Sequence, residues 1–159
     1  MIEHYPNVFS FLDINDAISN IPFCQGMWKG NPIPHLIFNY SCLKNIETPN
    51  PYLDQLTKMM LEKNWDVQGL GIWANLYENG NDWIEWHQDS MTQKKTTFII
   101  SLGVSRVILF REIATQKITC YILNHGDVLV YDEEANQNFF HSVPQMPDVN
   151  GKRVSIVFS

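Results

Sequence analysis

An imidazole and a carboxylate lie two residues apart in Trp86-His87-Gln88-Asp89. On an extended strand, positions i and i+2 point to the same face, so His87 and Asp89 can offer a nitrogen and an oxygen to one ion. H-x-D alone recurs by chance, and its bland reading is a surface His followed by a turn Asp. A third donor changes that. His141, in Phe139-Phe140-His141-Ser142-Val143-Pro144, lies on a later strand-like segment and completes a set of two imidazoles and one carboxylate. Such a set leaves coordination positions open and suits Fe(II). A zinc site built from His and Asp is the chemical rival, and a core His packed between Phe rings is the bland alternative for His141.

Arg153 weighs between these readings. It opens the last strand-like segment, where Arg153, Ser155, Val157 and Ser159 share one face and Val154, Ile156 and Phe158 share the other. The second set is apolar and belongs in a core. An Arg on the inner face of a barrel is an expensive charge unless an anion meets it. A dicarboxylate co-substrate would supply a bidentate, charge-assisted partner. A surface Arg on an edge strand is the competing reading.

These residues need a β scaffold. Val67–Glu78, Trp83–His87, Thr96–Leu102, Arg106–Arg111, Lys117–Leu123, Asp127–Tyr131, Phe139–Val143 and Arg153–Phe158 read as strands, rich in β-branched and aromatic residues and separated by Gly, Asn, Asp or Pro. Asn79-Gly80-Asn81-Asp82 reads as a hairpin turn. Before them the chain is loop-rich. Asp13 to Asn20 fits a short capped helix, Gly30–Pro34 is a turn signal, and Leu36–Tyr40 reads as a strand. The clearest helix starts at Asn50, a good N-cap, with Pro51 in the first position. Leu53, Leu56, Met59 and Met60 then make one apolar face, and the helix ends near Asn64. The expected fold is mainly β with a few helices (α+β). It is a double-stranded β-helix, or jelly roll, with a helix on its outer face. A single domain over 1–159 is expected, with 1–66 forming the helix and lid region and 67–159 the jelly-roll core.

Composition limits the function classes. With 45% hydrophobic and 18% charged residues the chain can bury a core without staples and is not a disordered segment. Cys24, Cys42 and Cys120 are scattered, without C-x-x-C, which argues against a disulfide framework or a thiolate zinc site. The expected setting is intracellular, cytoplasmic or nuclear, without a leader or membrane span, and the expected state is a monomer. The net charge of −6 gives no support to nucleic-acid binding unless a local basic patch exists. Lys94 and Lys95, just after the H-x-D segment, are the candidates for one.

In their order, the motifs resemble the AlkB-like branch of the Fe(II)/2-oxoglutarate dioxygenases. Asn75-Leu76-Tyr77, then the turn and His87-Gln88-Asp89, is similar to that family's N-x-Y and H-x-D segment. Thr97–Arg111, with Ser101-Leu102-Gly103, looks like the hairpin that follows, and Asn124–Val130 like the Gly-Asp strand before the distal His. His141-Ser142-Val143-Pro144 and Arg153 match in order and spacing. The resemblance covers the chain from about Val67 onward. It implies iron on His87, Asp89 and His141. It also implies that 2-oxoglutarate is held by Arg153 and Tyr77, with Asn75 nearer the chelating end and Ser155 on the same face. The implied reaction consumes O2 and 2-oxoglutarate, releases succinate and carbon dioxide, and hydroxylates a C–H bond. On an N-methyl group, as in alkylated DNA or RNA, the product breaks down to formaldehyde and the demethylated base. Such a base would stack on His87, Tyr40 or Trp73 near Met91, Lys94 and Lys95. A protein or small-molecule substrate, or a binding module that has lost turnover, is the alternative. The chain departs from the family at Ser159, where a second Arg is usual, at Ser90-Met91-Thr92, where acidic residues are common, and at Pro34-His35, where Pro-Arg is frequent.

Overall fold

In a computed structural model that describes residues 1–40, 48–90 and 96–159, the chain forms eleven strands and three helices. In chain order these are β1 (Ile2–Tyr5), α1 (Ile14–Asn20), β2 (Cys24–Trp28), β3 (Asn31–Tyr40), α2 (Pro51–Glu62), β4 (Ile72–Tyr77), β5 (Ile84–His87), β6 (Thr97–Gly103), β7 (Arg106–Glu112), β8 (Ile118–Leu123), β9 (Val128–Tyr131), α3 (Glu133–Asn138), β10 (Phe139–Val143) and β11 (Arg153–Phe158).

The helices start where their caps dictate. Asp13 accepts from the Asn15 N–H, Asn50 from the Leu53 N–H, and Asp132 from the Ala135 N–H. In α2, Leu53, Leu56 and Met60 are the buried face. Each such side chain contributes about 1.5–3 kcal/mol on burial.

Two antiparallel sheets face each other. The larger has the order β1-β9-β6-β11-β4-β3-β2, and the smaller β5-β10-β7-β8. Strand β11 lies between β4 and β6, paired over its whole length with both. Its Val154, Ile156 and Phe158 point away from the smaller sheet, into a core shared with Leu53, Leu56 and Met60 of α2 and Ala17 of α1. This is the outer helical layer expected on a jelly roll. A second core, built around Phe110, Leu129, Tyr131 and Val143, fills the space between the sheets.

Several local expectations are corrected. Asn79–Asp82 turns the chain, but β4 and β5 belong to different sheets, so the turn is a crossing and not a hairpin. The same holds for β6 and β7. Gly80 is needed at the first crossing, because its N–H donates to the Val149 carbonyl and a Cβ there would sit 1.8 Å from the Met146 carbonyl oxygen. Val67–Leu70 forms a turn, and β4 starts only at Ile72. The turn expected over 30–34 lies instead at Lys29 and Gly30, both with positive φ, and β3 already runs from Asn31. Pro32 is accommodated beside a break in the β2–β3 register. The first 66 residues also supply three strands of the larger sheet, two of which, β1 and β2, were not anticipated.

Candidate active site

Strands β5 and β10 bring His87 and His141 directly opposite each other. Asp89 follows two residues past the end of β5. The Nε2 atoms of His87 and His141 lie 3.4 Å and 3.6 Å from Asp89 Oδ1. One ligand atom from each of the three residues falls within 4.8 Å of the others. His87 Nδ1 donates to the Glu85 carbonyl at 2.7 Å, which leaves the Nε2 lone pair facing the other two donors. Fixing the tautomer through the second nitrogen is how metal-ligating imidazoles are usually oriented. Burial would raise the Asp89 carboxyl, but the imidazoles of His141 and His87 override it and hold it well below the usual carboxylate range. Two imidazole nitrogens and one anionic oxygen, with one side open to a cavity, suit a divalent first-row metal.

Asp89 is positioned from β9 and α3. Its backbone N–H donates to Asn136 Oδ1 at 3.0 Å, and its carbonyl accepts from Asn136 Nδ2 at 2.9 Å. Gln88 Nε2 bonds the carbonyls of Asn136 and Gln137, near the end of α3. The buried Tyr131 hydroxyl donates to Asp89 Oδ2. Asp89 Oδ1 is left for the imidazole side. Neither Asn136 nor Tyr131 was singled out from the sequence. The cap signal Asp132-Glu133-Glu134-Ala135 was there to be read, but a six-residue helix is too short for periodicity to find.

Across the cavity, the larger sheet presents Arg153. It is 1% exposed, paired in register with Tyr77 on one side and Gly103 on the other. Its Nε donates to Ser101 Oγ at 2.9 Å, and its guanidinium lies 5.2 Å from the centroid of the Tyr77 ring. Nη1 is buried with no partner among the described residues. Burial pulls the guanidinium below its ordinary range, and Tyr77 pushes back. Burial likewise raises the Tyr77 hydroxyl, against the lowering effect of Arg153 and Arg106. Asn75 pairs with Ser155 in register, and its Nδ2 lies 3.1 Å from Ser155 Oγ.

His35, which stands where Pro-Arg is frequent in the resembling family, belongs to the same wall. Its ring stacks on Tyr77 with centroids 4.9 Å apart, and its nitrogens meet the Trp83 carbonyl and the Asn75 side chain. Burial lowers its pKa.

These groups line one cavity of about 550 Å³, within the range of small-ligand sites. His87, Asp89, His141, Arg153, Tyr77, Asn75 and Ser155 all reach it, so the two walls bring together the metal and 2-oxoglutarate candidates. Trp73 lies on its rim and is 42% exposed. Tyr40 is not brought to it. Tyr40 is buried among the residues packed under α2, where its hydroxyl donates to Asp54 Oδ1 at 2.9 Å and accepts from the Asn50 N–H. The reason is strand parity: Tyr40 shares a face with Leu36 and Phe38, the face that packs on the helices. Met91, Lys94 and Lys95 lie outside the described residues.

Among the described residues, no helix is long and apolar enough to cross a membrane. No curated protein matches this chain. Among solved structures, it is similar to OsALKBH1 at 15% identity and a TM-score of 0.62, over 99% of this chain and 96% of that one. A Pseudomonas putida prolyl-4-hydroxylase matches at 11% identity and a TM-score of 0.60, over 99% and 90%. A Trichoplax adhaerens prolyl hydroxylase, in complex with a hypoxia inducible factor peptide fragment, matches at 11% identity and 0.61, over 99% and 81%. At such identities these likenesses establish the jelly-roll fold alone. The family model of the 2OG-Fe(II) oxygenase superfamily matches residues 46–158, a stretch that contains all three candidate ligands and Arg153. This chain therefore belongs to the 2OG-Fe(II) oxygenase superfamily, whose members use Fe(II) and 2-oxoglutarate.

Proposed function

We propose that this chain is an active dioxygenase in which His87, Asp89 and His141 hold Fe(II) and Arg153 receives the distal carboxylate of 2-oxoglutarate. The observation that carries this reading is the buried Nη1 of Arg153, without a partner among the described residues, in the wall of the cavity that holds the three ligand candidates. An enclosed guanidinium with a free N–H is costly without an anion, and a carboxylate satisfies it with charge-assisted bonds. When bound, iron and 2-oxoglutarate supply the oxidative decarboxylation that drives insertion of oxygen into a substrate C–H bond. The chain's own residues do the positioning. Ser101 and Tyr77 fix the plane of the Arg153 guanidinium, Asn75 and Ser155 give the cavity floor a polar edge, and Asn136 holds Asp89 in place. Measuring succinate release without a primary substrate, with and without iron, tests this reading. Iron-dependent release supports it. Its absence, with iron bound, would leave a binding module of the same fold.

For the primary substrate, we infer an alkylated base in DNA or RNA, with oxidation of its N-alkyl carbon. Support comes from the exposed Trp73 on the rim, a ring on which a flipped or single-stranded base can stack. A peptide or small molecule is the second reading. It is favoured by the rim's charge: among the described residues that line the cavity, Lys29 and the buried Arg153 are the only Lys or Arg. A panel of methylated oligonucleotides beside uncharged peptides, assayed for formaldehyde and for hydroxylated product, separates the two.

A further inference from the structure

Among the described residues, four strands lie at sheet edges: β1 and β2 in the larger sheet, β5 and β8 in the smaller. Edge strands offer unpaired backbone groups, and proteins usually blunt them with charge, Pro, a bulge or brevity. Three of these four are blunted in that way. Strand β1 has four residues and includes Glu3. Strand β2 has a register break around Gly26. Strand β5 has four residues, includes Glu85 and also faces a register break. Strand β8, Ile118-Thr119-Cys120-Tyr121-Ile122-Leu123, has none of these devices. It holds an unbroken register with β7 over all six residues and carries no charge.

The direction of its backbone groups follows from the ladder. The Glu112 N–H donates to the Lys117 carbonyl and its carbonyl accepts from the Gln116 N–H, so both backbone polar groups of Glu112 point toward the β8 side. Alternation along an antiparallel ladder then directs the polar groups of Thr119, Tyr121 and Leu123 toward β7. Those of Ile118, Cys120 and Ile122 face outward. The same three residues put their side chains on the outer face of the smaller sheet. There Ile118 is 51% exposed, Ile122 is 58% exposed and Cys120 is exposed. No helix packs on this face among the described residues, in contrast to the larger sheet.

We propose that β8 is an interaction edge whose partner is the β8 of a second copy of this chain. The strand is complementary to itself. An antiparallel pairing with its two-fold axis at Cys120 sets Cys120 against Cys120 and Ile118 against Ile122 of the other copy. All three outward-facing residues then become hydrogen-bonded pairs in one register, and the two apolar faces join without opposing like charges. Each copy carries one such edge, so the pairing closes at two copies and does not grow into a fibre.

The test is sedimentation of the full chain over a range of concentrations, with the metal site and turnover followed in parallel. The wild type is expected to form a dimer that dissociates on dilution. The pair Ile118→Lys with Ile122→Lys places like charges opposite each other and should give monomers with unchanged iron-dependent succinate release. The pair Ile118→Glu with Ile122→Glu should also be monomeric alone, and mixing the two variants should restore a dimer. In a Cys24→Ser, Cys42→Ser background, a short thiol cross-linker should join two copies through Cys120. A wild type that stays monomeric at its highest soluble concentration overturns the proposal. So does a dimer that survives the lysine pair, since it must use another surface.

Discussion

Asn136 brackets the main chain of Asp89, accepting from its N–H at 3.0 Å and donating to its carbonyl at 2.9 Å. The carboxylate proposed to hold iron is thus fixed by a side chain from a different element. Its position follows α3 as much as β5.

Removing that bracket should loosen the metal without unfolding the protein. Asn136→Ala is expected to weaken Fe(II) affinity roughly 10–100-fold, the usual consequence of losing an outer-shell partner. His87→Ala, Asp89→Ala and His141→Ala should each remove iron altogether. Competition with a chelator, followed spectroscopically, distinguishes the graded loss from the complete one. Equal iron content in all four variants would refute the ligand assignment.

Arg153→Lys keeps a charge but gives up the planar fork and the bond from Nε to Ser101. The apparent KM for 2-oxoglutarate should rise much more than that for the primary substrate. A rise confined to the primary substrate would move Arg153 to the other half of the site.

Trp73 and Tyr40 sit on opposite faces of the larger sheet, and their substitutions should separate cleanly. Trp73→Ala is expected to raise KM for the primary substrate by about 5–150-fold if a base stacks there, since stacking contributes ~1–3 kcal/mol per base. Uncoupled 2-oxoglutarate turnover should be unaffected. Tyr40→Phe removes a donor to Asp54 and an acceptor for the Asn50 N–H, costing about 1–3 kcal/mol of stability with no change in KM. Steady-state kinetics and denaturant melts on both variants check this.

Asp127 provides a pH signature away from the metal. It is buried, and it accepts from the N–H groups of Asn7 and Asn124 and from His4 Nε2. Burial opposes its charged form, but these donors prevail and lower its pKa. A carboxyl lowered on folding contributes stability that is fully present above its unfolded value, about 3.9, and lost as pH falls through the lower folded value. Asp127→Asn should therefore destabilise the chain by about 1.5–3 kcal/mol at neutral pH, and by progressively less as the acid limb is entered. A wild-type minus variant difference that stays constant from pH 7 to the acid limit, in melts over that range (~3–7), would contradict this linkage.

Lys94→Glu with Lys95→Glu addresses the nucleic-acid reading. If these lysines contact phosphate, oligonucleotide affinity should fall and its salt dependence should flatten, by about 0.7–0.9 log units per lost contact. Succinate release without substrate should persist. Affinity unchanged by the double reversal removes the support these residues lend to that reading.

Much of this is legible in the residues. Asn50 and Pro51 announce α2, and alternation of residue types along Arg153–Phe158 is enough to separate a site face from a core face. H-x-D, the distal His and Arg153 converge as their spacing suggests. The assignment of strands to sheets is not legible in the same way. The turn after Tyr77 uses the same Asn and Gly chemistry as a hairpin, and Gly103 ends β6 with the positive φ of a hairpin glycine, yet each leads into the other sheet. Parity could have placed Tyr40 with Leu36 and Phe38, but not without knowing which face met the helices. Short elements such as β1, β2 and α3 carry too few residues for a period to emerge, and Asn136 was hidden with them.

The two-faced character of β11 bears on how the chain finds its fold. A slip of one residue against β4 and β6 would exchange the faces. Arg153 would enter the apolar layer beneath the helices, stripped of Ser101 and Tyr77, at a cost of several kcal/mol for an uncompensated buried charge. The side chain proposed to grip the co-substrate therefore also makes the slipped alignment costly. A chain that has paired its central strand correctly has, by the same act, pointed its guanidinium into the cavity.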